Sequence, residues 1–207
     1  MLLELLVNNP FTFILLIIPL LCSIVMHELA HGWAAYIMGD STAKNMGRLT
    51  LNPLRHLDPI GTIALFIVGF GWAKPVPVNT YALTRQGYVF VAAAGVITNI
   101  ILAFLAMLML RLYAPSPGGV ATFFFYLIHI NITLAVLNLL PIPPLDGSRI
   151  LSAYLPHHLQ YKLRSIEPFG FFIIIGLVFL GVLKPVIIAL ANIMGGLISF
   201  LLGSPLL

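Results

Sequence analysis

Charge is nearly missing from this chain. Its 207 residues include ten Lys and Arg and six Asp and Glu, together 8%, against 60% hydrophobic residues and a mean hydropathy of +1.07. Soluble domains carry about 25% charged residues, so a water-soluble globule is excluded and an integral membrane protein is implied. Cysteine is as scarce. The lone Cys22 excludes an intrachain disulfide, and its place inside a long apolar run assigns it to packing. Lys and Arg are absent from Met1 to Asn9, so the basic start of a cleaved signal peptide is lacking. Internal repeats and low-complexity tracts are absent too, and the length suits one compact bundle without a separate soluble domain.

What is present is long apolar runs: Phe11–Gly39, Gly87–Leu110, Ala121–Leu140, Phe169–Leu183 and Pro185–Leu202. Lys184-Pro185 reads as a tight turn between the last two, and Gly195-Gly196 as a point of close helix approach. A sixth piece, Ile60–Trp72, is about 13 residues, too short for an ordinary span. Gly69, Gly71 and the following Lys74-Pro75-Val76-Pro77-Val78 favour extended backbone over helix there. The fold class expected is an all-α polytopic membrane protein, with about five transmembrane helices plus a short cytoplasmic-side re-entrant or β-hairpin segment. If that piece re-enters, Lys44, Arg48, Arg55, Lys74, Arg85, Arg149, Lys162 and Arg164 share one side, leaving Arg111 and Lys184 on the other. Such a bias puts the rich side in the cytoplasm, the N-terminus outside and the C-terminus inside. The basic surplus is thereby an orientation signal, and no nucleic-acid partner is implied.

Within the first run lies His27-Glu28-Leu29-Ala30-His31. Residues four apart stand one turn above each other on a helix, so His27 and His31 can share one zinc ion. Glu28 then stands beside it to handle a water proton. These three are the only ionisable groups expected to be charged or to titrate ordinarily between Phe11 and Gly39, and such groups inside a span mark function. His31 precedes Gly39 by about 12 Å of helix, which places the site toward the cytoplasmic leaflet. A catalytic zinc needs a third protein ligand. Asp146, after Asn138-Leu139-Leu140-Pro141-Ile142-Pro143-Pro144-Leu145, is the best placed acid; its other reading is the cap of a short interfacial helix to about Leu155.

The HExxH stretch, then Gly69–Val78, then Asn138–Pro141 leading to Leu145-Asp146-Gly147, resembles the site-2 protease family of intramembrane zinc metalloproteases. Asn52–Thr62 and Gly95-Val96-Ile97-Thr98-Asn99 match as well, so the resemblance covers residues 20 to 150. It implies one zinc per chain on His27, His31 and Asp146, Glu28 as general base, and Asn138 holding substrate or the tetrahedral intermediate. It further implies that Gly69, Gly71, Lys74, Pro75 and Val76 offer a backbone edge to an unwound substrate, with Asn99 supporting. Val96 stands where many relatives have Pro. The Tyr113–Gly119 loop is too short for a PDZ domain, so the implied form is minimal: one membrane metalloprotease domain over 1–207, with core 11–150 and a C-terminal helical pair 168–203.

The function expected is hydrolysis of peptide bonds in or near transmembrane segments, in a prokaryotic plasma membrane, with substrate choice set by the bilayer or by an adaptor or regulatory membrane partner. The alternatives are a divalent-metal transporter and a non-catalytic membrane scaffold. A transporter should carry polar groups on both sides of the bilayer and related halves. Elsewhere, His129 and Asn131 are assigned to helix–helix hydrogen bonds, and His56 and Asp58 to fixing a loop. His157 and His158 are solvated interfacial residues, and Trp33, Trp72 and Tyr88 belong to the interfacial belt or to packing.

Overall fold

The computed structural model describes residues 2–69, 71–113 and 116–203. Phe70 of the Gly69–Val78 stretch, and residues 114 and 115 of the Tyr113–Gly119 loop, lie outside them. After a short α1 (Leu2–Asn8), Asn9 accepts the Thr12 N–H and Pro10 takes the first helical position, which starts α2 (Pro10–Ile37). Then follow α3 (Thr42–Asn45), α4 (Pro59–Val68), α5 (Arg85–Tyr113), α6 (Gly119–Leu139), α7 (Asp146–Ser152), α8 (His157–Ile166), α9 (Gly170–Phe179) and α10 (Leu183–Leu201). The protein is an all-α polytopic membrane protein. Ala103, Ala106 and Met107 of α5 pack on Ile128, Ile132 and Val136 of α6 and on Ile198 of α10. Small residues on α5 let the backbones come close where lipid supplies no hydrophobic drive.

Among the described residues four helices are long and apolar enough to cross a bilayer: α2, α5, α6 and α10, with 28, 29, 21 and 19 residues. The run Phe169–Leu183 does not form a fifth. Its helix has 10 residues, ~15 Å against a ~30 Å hydrocarbon core. The turn after it falls at Gly181, where φ is +71°, not at Lys184-Pro185; Pro185 sits in the first turn of α10, where its missing N–H costs nothing. This changes where the chain ends. Leu183 packs with Leu140 beside the end of α6, whereas Arg111 at the end of α5 donates to the Leu202 carbonyl. The described chain therefore finishes at the end of the bundle where α2 begins, which corrects the expectation of a C-terminus on the site's side. With Lys184 moved, nine of the ten Lys and Arg lie at the site's end and only Arg111 at the other.

The short sixth piece enters and returns. Leu57 bridges Ala73, and the Lys74 N–H donates to the His56 carbonyl at 2.8 Å. The expectation of extended backbone from Ile60 is corrected: Asp58 accepts the Gly61 N–H, Pro59 follows, and Gly69 at φ +79° closes α4. Only after Gly69 is the chain extended. Gly61 and Gly71 let the two limbs touch, since a Cβ on Gly71 would stand 2.2 Å from the Gly61 carbonyl oxygen. Among the described residues there is no strand pair beyond that single bridge.

Asp40, 2% exposed, ties the end of α2 to the returning limb. Its carboxylate accepts from the Thr42 N–H (2.9 Å), the Thr42 hydroxyl (2.5 Å) and the Asn79 N–H (2.7 Å). Burial pushes its pKa up, but these donors outweigh burial and hold it below the ordinary value. A depressed folded pKa gives stability that is full above ~3.9 and lost as pH falls through the lower folded value. Asp40→Asn is therefore expected to cost ~1.5–3 kcal/mol at neutral pH, with the gap to wild type closing below pH ~4. Thermal unfolding in detergent across pH tests this; an equal gap at neutral and acid pH would mean the bonds do not depend on charge.

Candidate metal centre

The helical spacing of His27 and His31 puts their ring centroids 4.6 Å apart, nearly perpendicular, with Nε2 atoms 3.0 Å from each other. Asp146 reaches them from 115 residues later. Pro141 ends α6, and α7 starts so tightly against that end that a Cβ on Gly147 would lie 2.2 Å from the Leu139 carbonyl oxygen. Asp146 is the first residue of α7, but its side chain makes no cap. It is 4% exposed and sets Oδ2 3.2 Å from the Nε2 of each histidine.

The donor set has the chemistry of a cation site. His31 Nδ1 lies 2.8 Å from the Val91 carbonyl, which can only accept, so Nδ1 carries the hydrogen and Nε2 presents a lone pair. Asp146 Oδ2 is buried without a hydrogen-bond donor. One ligand atom from each of the three residues falls within 4.8 Å of the others. Space is kept by Gly95 on α5: a Cβ there would stand 2.5 Å from His27 Cε1 and from His31 Nε2. Two imidazoles and a carboxylate around such a gap suit zinc.

A cleft of about 760 Å³ opens beside these residues. Glu28 lines it, and its Oε2 accepts the Val76 N–H at 2.9 Å. Asn138, near the end of α6, also lines the cleft and donates to the Leu134 carbonyl at 2.9 Å. Of the residues expected to meet substrate, Pro75 and Val76 line the wall, with Ala73 and Val78. Gly69, Gly71 and Lys74 do not: Gly69 closes α4, Gly71 packs against Gly61, and the Lys74 backbone is bound to His56 and Arg48.

Arg48 was not marked by the sequence. It is 6% exposed and donates to the Lys74 and Pro75 carbonyls at 2.8 and 3.2 Å, so it anchors the limb whose next N–H holds Glu28. Nothing in the sequence marks Arg48 beyond its being one of only ten Lys and Arg in so uncharged a chain. His56 is fully buried and bonded to the Thr50 carbonyl at 2.7 Å, which with the Asp58 cap gives the loop-fixing role expected of both. Asn99 lies 2.5 Å from His27 Nδ1. Asn131 bonds across helices as expected, but His129 is exposed and bonds within α6 to the Phe125 carbonyl. Cys22 is exposed on the bundle surface and not packed.

Residues 114–183 match the family model for peptidase family M50. The chain is 44% identical over 168 residues to YwhC of Bacillus subtilis, covering 76% of this chain and 77% of that protein. It is 33% identical over 174 residues to Rip2 of Mycolicibacterium smegmatis, covering 79% of this chain and 66% of Rip2. Both relatives carry zinc metalloprotease in their names. MJ0392 of Methanocaldococcus jannaschii, similarly named, is 26% identical over 154 residues, 74% of this chain and 38% of its own length. No solved structure matches. Identity of this degree over so much of both chains is inheritance and not the coincidence of a short motif, and the chain belongs to peptidase family M50, the site-2 protease family of zinc metalloproteases.

Proposed function

We propose that the protein is an intramembrane endopeptidase that cuts transmembrane or membrane-inserted segments of other proteins, with one zinc held by His27, His31 and Asp146. The observation that carries this reading is the meeting of those three ligand atoms with Glu28 in one cleft of a membrane bundle. His31 stands six residues before the end of α2, ~9 Å of helix, so the site is below the membrane surface yet within reach of water. The nine-to-one basic bias supports the cytoplasmic surface, and relatives in bacteria and archaea support a prokaryotic plasma membrane. One domain over 1–207 is proposed to carry the activity, the helical pair α9–α10 packing on its core.

When bound, zinc supplies Lewis acidity and lowers the pKa of water. Glu28 is the base. With Oε2 held by Val76, its other oxygen is left to take the proton of the attacking water and pass it to the leaving amine. Asn138 holds the scissile carbonyl from the cleft wall. A helix must lose internal hydrogen bonds before it can be cut, and the extended Val76–Val78 limb offers backbone groups in exchange. Substrates are selected by the bilayer and by an adaptor or regulatory membrane partner.

Purified protein in detergent should cleave some members of a panel of transmembrane peptides within the apolar segment. Stripping with a chelator should abolish this, and about one equivalent of zinc should restore it. Cleavage confined to soluble peptides would defeat intramembrane action. Divalent metal crossing proteoliposomes, with no hydrolysis, would replace the reading with transport.

A further inference from the structure

Behind His27 runs a buried polar chain that crosses three spans. His27 Nδ1 meets Asn99 Oδ1 of α5 at 2.5 Å, and Asn99 Nδ2 donates to Asn131 Oδ1 of α6 at 2.7 Å. Asn131 Nδ2 donates to the Ser23 hydroxyl of α2 and to the Leu127 carbonyl, both at 2.8 Å, and Ser23 donates to the Pro19 carbonyl at 2.7 Å. Ser23, Asn99 and Asn131 are each 0% exposed, so no water competes for these bonds.

The direction of the chain is set at its far end. A carbonyl oxygen only accepts, so the Leu127 carbonyl demands the nitrogen of the Asn131 amide. Asn131 must then turn its oxygen to Asn99, and Asn99 must turn its nitrogen back and its oxygen to His27. An oxygen at that position requires hydrogen on His27 Nδ1, which leaves Nε2 bare toward His31 and Asp146. Reversing either amide would face oxygen to oxygen and N–H to N–H at buried sites.

We propose that Asn131, acting through Asn99, is a positioning residue that decides which ring nitrogen of His27 is free for the metal. The inference rests on the metal-site reading above, and concerns a residue that touches neither metal nor substrate. Ser23 is the dispensable member, since the Leu127 carbonyl orients Asn131 without it.

The test compares wild type with Asn131→Leu, Asn99→Leu, Asn131→Asp and Ser23→Ala. Imidazole ¹⁵N NMR of metal-free protein in detergent locates the His27 hydrogen, and chelator competition gives zinc affinity. Wild type and Ser23→Ala should hold the hydrogen on Nδ1. Asn131→Leu should spread it over both nitrogens and weaken zinc ~10-fold, and Asn99→Leu ~100-fold. Asn131→Asp, whose neutral carboxyl keeps an oxygen to accept from Asn99 and an O–H to donate to the Leu127 carbonyl, should restore the wild-type hydrogen position, a rescue that a merely space-filling role does not explain. Unchanged hydrogen position and zinc affinity in Asn131→Leu would overturn the proposal. So would a rescue by Asn131→Asp of folding stability alone. Wild-type protein that takes up no zinc would sink the metal reading instead, while the metal-free NMR would still decide the relay.

Discussion

Glu28→Gln is expected to bind zinc as wild type does and to cleave ~10²–10⁴-fold more slowly. The replacement has the same shape, and its amide oxygen can still accept the Val76 N–H that Glu28 Oε2 accepts at 2.9 Å. Arg48 would go on holding the Lys74 and Pro75 carbonyls, so the cleft wall should keep its form. What disappears is a group able to take a proton from water and return it to an amine. Zinc content and turnover of a transmembrane peptide, measured on one preparation, separate the two parts of the expectation. Undiminished turnover would remove Glu28 from the base role, and loss of zinc would move it among the ligands.

Gly95→Ala should take most of the metal away. The added methyl would lie 2.5 Å from His27 Cε1 and His31 Nε2 and 2.6 Å from His27 Nε2, against atoms with no room to retreat. Behind His27 stands Asn99, and behind His31 the Val91 carbonyl, both on the helix that carries Gly95. Overpacking of this kind costs ~1–3 kcal/mol of stability, but the sharper effect is on ligand geometry, which must hold within ~0.5 Å for a metal site. Zinc should fall from about one per chain to a small fraction, and cleavage should fall with it, while the four spans persist by helical circular dichroism. Full zinc occupancy in this variant would mean that the rings can swing aside and that their placement is not what defines the site.

The membrane class, the long spans and the His27–Glu28–His31 face were legible in the sequence, because each depends on neighbours along one helix. Some local signals were present but outweighed. Asp58-Pro59 and Gly69 bracket α4 by ordinary capping rules, yet the prolines just beyond them pointed to extended chain. Hydropathy likewise registered Phe169–Leu183 as a span, because it counts apolar residues and does not see the helix stop before Gly181. That error put the end of the described chain, near Leu202, on the wrong side of the bundle.

Other features exist only through space. Asp146 could be either cap or ligand until α7 packed back on Leu139 and turned the carboxylate to the histidines. Asn131 meets a partner 32 residues before it and another 108 before it, and Arg48 meets carbonyls 26 and 27 residues later. No periodicity announces such pairs. A helix and its polar face follow from steric and hydrogen-bond rules that act over a turn or two. The approach of Asp146 to the two histidines, the bond that holds Glu28 and the direction of the amide chain were decided by tertiary packing, which alone brings acceptors on one element within reach of donors on another.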